Sequence, residues 1–263
     1  MVNRVSPVVF CLVATAGCDV VFGLSTEHPD GPADPDAAGS RYAEAVRADR
    51  PLGYWRFSAG ALTAVDLVGD APGVYAGDAA PTASGALLCE DDQAVALDGA
   101  GDYVDMGGRF GFPGTMAFTI EAWVNPRVNG LYNGVVAKND ESAGGNTRVG
   151  YHMYSQNSAF GFERSDGTLI QDVRTGALTT QRWTHVAVTF DGNTLSLYTD
   201  GVLRSTTPLP TVILPATNHA FVVGGRDGGR YLFLNGAVDE LAIYGAALPV
   251  EKLAGHRLIG LGQ

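Results

Sequence analysis

At 263 residues, with 46% hydrophobic and 17% charged side chains, the chain has enough apolar content for a large core, which excludes a disordered or fibrous protein. Its net charge of −11, with only 17 Lys and Arg spread along the sequence, argues against nucleic acid or an anionic membrane face as the main partner, because phosphate recognition needs clustered cations. No internal repeat of about 20 to 50 residues recurs, which excludes solenoids and propellers, and one domain is the expectation for an all-β chain of this length.

Residues 1–18 read as an export signal: Met1-Val2-Asn3-Arg4, an apolar run from Val5 to Ala16, then Gly17-Cys18. The run is shorter than the roughly 20 apolar residues that span a bilayer. Thr15-Ala16-Gly17-Cys18 resembles the lipobox of bacterial lipoproteins, although Thr15 stands where Leu is usual. The resemblance implies lipid attachment at Cys18, cleavage before it, and a lipid-anchored, exported protein of the bacterial cell envelope, on either membrane. Cys11 would then be lost with the signal and Cys18 lipidated. Cys89 would be left as a small buried thiol with no disulfide partner. Residues 19–40 are acidic and rich in proline and lack apolar periodicity, as expected of an extended linker. The folded part is expected over residues 41–263.

Within that part, Ser40 to Asp49 predicts a short helix capped by Ser40 and ended before Pro51. Pro51 to Phe57 reads as a first strand. Further strands are expected near 94–97, 103–106, 117–125, 134–138, 150–154, 159–164, 169–174, 220–224, 231–235 and 238–244, separated by turns rich in Gly, Asn and Asp. Between Arg182 and Gly201 two strands meet at Asp191-Gly192-Asn193, and Asp200-Gly201 reverses the chain again. Val186, Val188 and Phe190 alternate with His185, Ala187 and Thr189, so this strand should be covered on both faces. So many strands fit two stacked antiparallel sheets better than one. Leu248 to His256, with Pro249 at its start, closes the chain as a second short helix.

Trp183-x-His185-Val186-Ala187-Val188-Thr189-Phe190-Asp191-Gly192 with Leu197-Tyr198-x-Asp200-Gly201 resembles laminin G-like, concanavalin A-like jelly-roll domains. Tyr54-Trp55-Arg56, Ile120-Glu121-Ala122-Trp123-Val124 and Gly236 to Tyr244 agree in order and spacing over about 41–257. The resemblance implies an all-β antiparallel sandwich with short flanking helices. It also implies a binding module whose partner is a glycan or glycoprotein outside the cytoplasm, with the membrane reached only through the N-terminal lipid. The rivals are a degenerate or unrecognised polysaccharide-degrading enzyme and a structural adhesion protein with protein partners.

Catalysis is not expected. Retaining glycosidases hold two carboxyls about 5–5.5 Å apart, and laminarinases and agarases carry them as a Glu-x-Asp-x-(x)-Glu run, where this strand offers only Glu121. His185 reads as a hydrogen-bonded histidine on a covered strand. Trp55, Trp123 and Trp183 read as core aromatics. His28, His152, His185, His219 and His256 are scattered, which gives zinc no support. Polar and aromatic residues around 129–133, 142–148 and 226–231 suit ligand loops. Asp239 lies on the last strand, where alternation sets it beside Leu241 and Ile243. In related jelly rolls this acid resembles a ligand of one structural calcium ion, completed here by backbone near Trp55 to Ser58 and by Asp98-Gly99. The alternative is hydrogen bonding to backbone amides or to Arg56 without a metal.

Overall fold

The computed structural model describes residues 40–88, 92–128, 132–140, 148–176, 181–208 and 212–263. The signal, Cys18, the linker up to residue 39, Cys89, Asn129-Gly130 and residues 141–147 lie outside them. A short helix, α1 (Arg41–Ala48), comes first, with the Ser40 hydroxyl accepting from the Ala43 amide at 3.2 Å as expected of its cap. The strands follow: β1 (Gly53–Trp55), β2 (Val74–Ala76), β3 (Ala80–Ser84), β4 (Gln93–Asp98), β5 (Tyr103–Asp105), β6 (Phe118–Pro126), β7 (Asn133–Asp140), β8 (Val149–Gln156) and β9 (Ala159–Asp166). After them come β10 (Ile170–Arg174), β11 (Thr184–Phe190), β12 (Leu195–Thr199), β13 (Val202–Thr207), β14 (Val222–Val223), β15 (Asn235–Tyr244) and helix α2 (Val250–Gly260).

Two antiparallel sheets form a sandwich. The larger runs β13-β12-β11-β6-β15-β4-β3, with β1 also paired to β15, and the smaller runs β10-β9-β8-β7-β14-β5-β2. Between them lie Trp55, Ile120, Val124, Tyr151, Phe162, Val186, Val188, Leu241 and Ile243 with their neighbours, the main apolar core. At about 1.5–3 kcal/mol for each large side chain removed from water, this layer supplies most of the driving force. The outer face of the larger sheet is also covered, by α1 and α2, which enclose a second cluster of Tyr42, Val46, Tyr54, Leu87, Trp123 and Tyr244. All seven residues of β11 are buried for this reason, so its two-sided alternation was legible in the sequence.

Three expectations change. Residues 231–235 are not a strand: Tyr231 makes one isolated bridge to Arg226, Leu232 has φ +55°, and only Asn235 joins β15. β2 and β3 were not foreseen, being short and, in β3, carrying Pro81, which an edge strand tolerates. The alternation on β15 also breaks. Asp239 pairs with Trp123 and Ala242 with Glu121, so three steps on β15 match two on β6, and Glu240 takes φ +51°. This bulge sends Val238, Leu241 and Ile243 into the main core and leaves Asp239 and Glu240 adjacent on the helix-covered side.

Candidate functional site

The outer face of the smaller sheet carries a layer of polar and aromatic groups. Register places Ala137, His152, Glu163 and Asp172 side by side across β7, β8, β9 and β10, with Gly134, Tyr154, Gly161 and Arg174 as the next row. The glycines make the layer flat: a Cβ at Gly161 would lie 2.2 Å from the Tyr154 ring, and one at Gly134 2.9 Å from the Arg226 side chain. Tyr132 stacks on Tyr154 with centroids 4.4 Å apart, its hydroxyl lies 2.6 Å from His152 Nε2, and the Arg226 guanidinium sits 5.1 Å from its ring centre. Arg148 pairs with Glu163 through both carboxylate oxygens, one at 2.8 Å, and the Tyr154 hydroxyl donates to Asp172 at 3.1 Å. Tyr132, Arg148 and Arg226 come from the three loop regions expected to meet ligand, and the fold brings them onto one face.

Burial, with Arg226 and Arg148 nearby, holds His152 well below its ordinary range, so its ring is neutral at physiological pH. Desolvation pushes Asp172 up, while Tyr154 and the arginines oppose it. His152, Tyr154, Glu163 and Arg226 are buried, whereas Asp172 and Arg174 are exposed and Tyr132 half-exposed. The exposed members can touch a ligand, and the buried ones fix their positions.

On the opposite side of the molecule Glu121 and Asp239 are buried on the helix-covered face of the larger sheet. Glu121 is fully buried and accepts from His185 Nε2 at 3.0 Å, His256 Nδ1 at 2.9 Å and the Tyr244 hydroxyl at 2.5 Å. His185 is therefore a buried, hydrogen-bonded histidine, as expected, bonded through Nε2, while its Nδ1 has no partner among the described residues. Its convergence with His256 on one carboxylate was not visible from their scattered positions in the sequence.

Asp239 and Asp98 do not share a site. Asp239 accepts from the Ala86 and Glu240 amides, both at 2.8 Å, and its carboxylate lies with those of Asp92 and Glu240, the three within 4.8 Å of one another. Arg56 binds Glu240 at 2.8 Å and Asp92 at 2.9 Å, and Tyr54 donates to Glu240. The backbone donors expected for Asp239 are thus present, and Arg56 contacts its neighbours. Asp98 belongs to a second group with Asp78 and Asp102, and its Oδ1 accepts from the Ala100 amide at 2.6 Å. Burial drives Asp239 well above the carboxylate range and, against Arg56 and Tyr54, raises Glu240 to about 8. Among the described residues Arg56 faces Asp92 and Glu240 of these three carboxyls, and their hard oxygen donors fit calcium in kind.

A family model described as the concanavalin A-like lectin/glucanases superfamily matches residues 98–254. No curated protein matches the chain. Among solved structures, it is similar to the binding domain of botulinum neurotoxin serotype D, with a TM-score of 0.61 and 13% identity over 80% of this chain and 52% of that one. It is likewise similar to the binding domain of Paraclostridial Mosquitocidal Protein 1, with a TM-score of 0.61 and 16% identity over 78% and 51%. The chain spans about half the length of these structures, and at such identity the likeness shows the fold alone.

Proposed function

The chain belongs to the concanavalin A-like lectin/glucanases superfamily, and on that premise we propose that it is a non-catalytic binding module that recognises a glycan or glycoprotein through the outer face of its smaller sheet. The observation that carries this reading is the Tyr132–Tyr154 stack beside exposed Asp172 and Arg174. Aromatic surface with hydrogen-bonding groups at its edge suits a sugar, which offers apolar C–H patches and hydroxyls together. Glu121, sealed beneath the helices by three side-chain partners, has no access to a polymer chain. Glycan-array screening followed by calorimetry tests the proposal. Tyr132→Ala should weaken binding about tenfold or more in a chain that still folds, with a modest drop in melting temperature from the lost stack and His152 contact. Silence on every glycan would favour a protein partner.

A second reading rests on Asp172 lying directly opposite Glu163. Two cross-strand carboxyls, one held by Arg148 and the other pushed up, resemble the asymmetric pair that glycoside hydrolysis uses. Release of reducing ends from a polysaccharide, lost in Asp172→Asn, would move the chain to the enzyme class.

The same proposal places the module outside the cytoplasm, held to the bacterial envelope by lipid on Cys18. Mass spectrometry of the mature N-terminus decides this, and an unmodified Cys18 would refute it. It also assigns one structural calcium to Asp239, Glu240 and Asp92, with Asp98 outside that cradle. Calcium addition near neutral pH should release protons from the group, and chelation should lower the melting temperature except in Asp239→Ala. Identical melting with and without chelator would leave the backbone and Arg56 contacts as the whole account.

A further inference from the structure

Register also aligns Lys138, Tyr151, Arg164 and Gln171 across β7, β8, β9 and β10, this time on the inner face at one end of the sandwich. These side chains point at the segment that crosses this end and at its neighbours. Lys138 donates to the carbonyls of Gly108 (2.8 Å) and His219, the Tyr151 hydroxyl to Phe110 (2.6 Å), Arg164 to Gly114 (3.3 Å) and Gln171 to Thr207 (3.2 Å). Lys138 thereby has two oxygen partners at the rim, with the Asp140–His219 pair close by along the strand.

Arg164 is different. It is fully buried, lies 3.7 Å from the centre of the Phe190 ring and 5.9 Å from that of Phe118, and forms no ion pair among the described residues. Its side-chain hydrogen bonds go to neutral oxygens, Gln171 Oε1 at 3.1 Å and Gly114 O at 3.3 Å, both long for a charged donor, and Nε–H has no acceptor among the described residues. Burial lowers its ionisation to about 10, so the guanidinium stays charged at neutral pH. A charge removed from water is ordinarily paired, since leaving it alone is among the costliest arrangements a core can contain, and aromatic faces offset only part of that cost.

We propose that Arg164 is the floor of a buried site for a small monovalent anion of halide size, which accepts in the guanidinium plane from Nε and a remaining N–H group, beside the Gly114 turn. Full burial of Arg164 favours a small ion that sheds its water readily, and the surplus positive charge sets its sign. This site is on the inner face, so it is independent of the sugar-binding reading of the outer one.

The experiment compares melting of the purified chain in sodium chloride, sodium bromide and sodium gluconate at equal ionic strength, for the native sequence and for Arg164→Met, which keeps the stem and removes the charge. Halide should raise the native melting temperature saturably by about 2–4 °C over gluconate, and the variant should show no difference among the salts. Crystals grown in bromide should show an anomalous peak within hydrogen-bonding reach of Arg164 Nε. Equal melting of the native chain in all three salts, a halide shift that persists in the variant, or a bromide map with water-like density alone at Nε would overturn the proposal. If Arg164→Met does not fold, the bromide map of the native chain decides by itself.

Discussion

Glu121 is held ionised although it is fully buried. Burial by itself would raise its pKa, but His256 and His185 outweigh burial and hold the carboxyl well below its usual range. For His256 burial lowers the value, while the carboxylates of Glu121 and Asp49 outweigh it and raise the result. His256 Nε2 lies 3.2 Å from Asp49 Oδ2, and Lys252 completes the chain of charges at 2.8 Å from Asp49 Oδ1. The linkage has a definite sign. The depressed Glu121 contributes stability present above the unfolded carboxyl value, about 4.3, and lost as pH falls through the folded value. The raised His256 contributes stability fully present below its unfolded value, about 6.5, and lost as pH rises through the folded value. Melting temperature should therefore be highest between these limits and decline on both sides. Glu121→Gln should cost about 3–5 kcal/mol and flatten the profile, as urea titrations from acid to alkaline pH would show. A full-strength acid limb in that variant would assign the dependence to other carboxyls.

At the scale of elements, a bulge in β15 and a glycine in β9 each shape a face. The bulge of β15 sets two acids side by side where an unbroken strand would separate them. The single sequence showed the acids but not the extra residue, because a bulge is set by how β15 and β6 pair. On β9, Gly161 is legible only as a weak strand residue until the Tyr154 ring is seen lying against it. Gly161→Ala should lift that ring, lose the Tyr132 stack, and destabilise the domain by about 1–3 kcal/mol. Near-ultraviolet circular dichroism should report the lost stacking and calorimetry a weakened ligand. An unaltered aromatic signal in a folded variant would mean that the layer is not built on that glycine.

At the scale of the whole molecule, the chain is a sandwich with a third layer on one side. α2 packs closely: a Cβ at Gly260 would lie 2.6 Å from the Trp123 ring, and one at Gly201 2.7 Å from Ala254 Cα. Removing residues 249–263 should expose the Tyr42, Trp123 and Tyr244 cluster and take His256 from Glu121. The truncated chain is expected to bind a hydrophobic dye and aggregate, whereas a soluble product melting as the full chain does would show that the helix layer is dispensable. The sequence alone determined the sandwich, the central place of β11, the capped first helix and the core histidine, because alternation, turn residues and caps act over a few neighbouring positions. It also singled out the regions from which Tyr132, Arg148 and Arg226 reach the smaller sheet. Only the tertiary structure decided which groups share a face: Asp239 with Asp92 and Glu240 rather than Asp98, His185 with His256, and Arg164 with aromatic rings instead of a carboxylate. These juxtapositions depend on strand order and register between segments far apart in the chain, and the pairing energies that set them are not local.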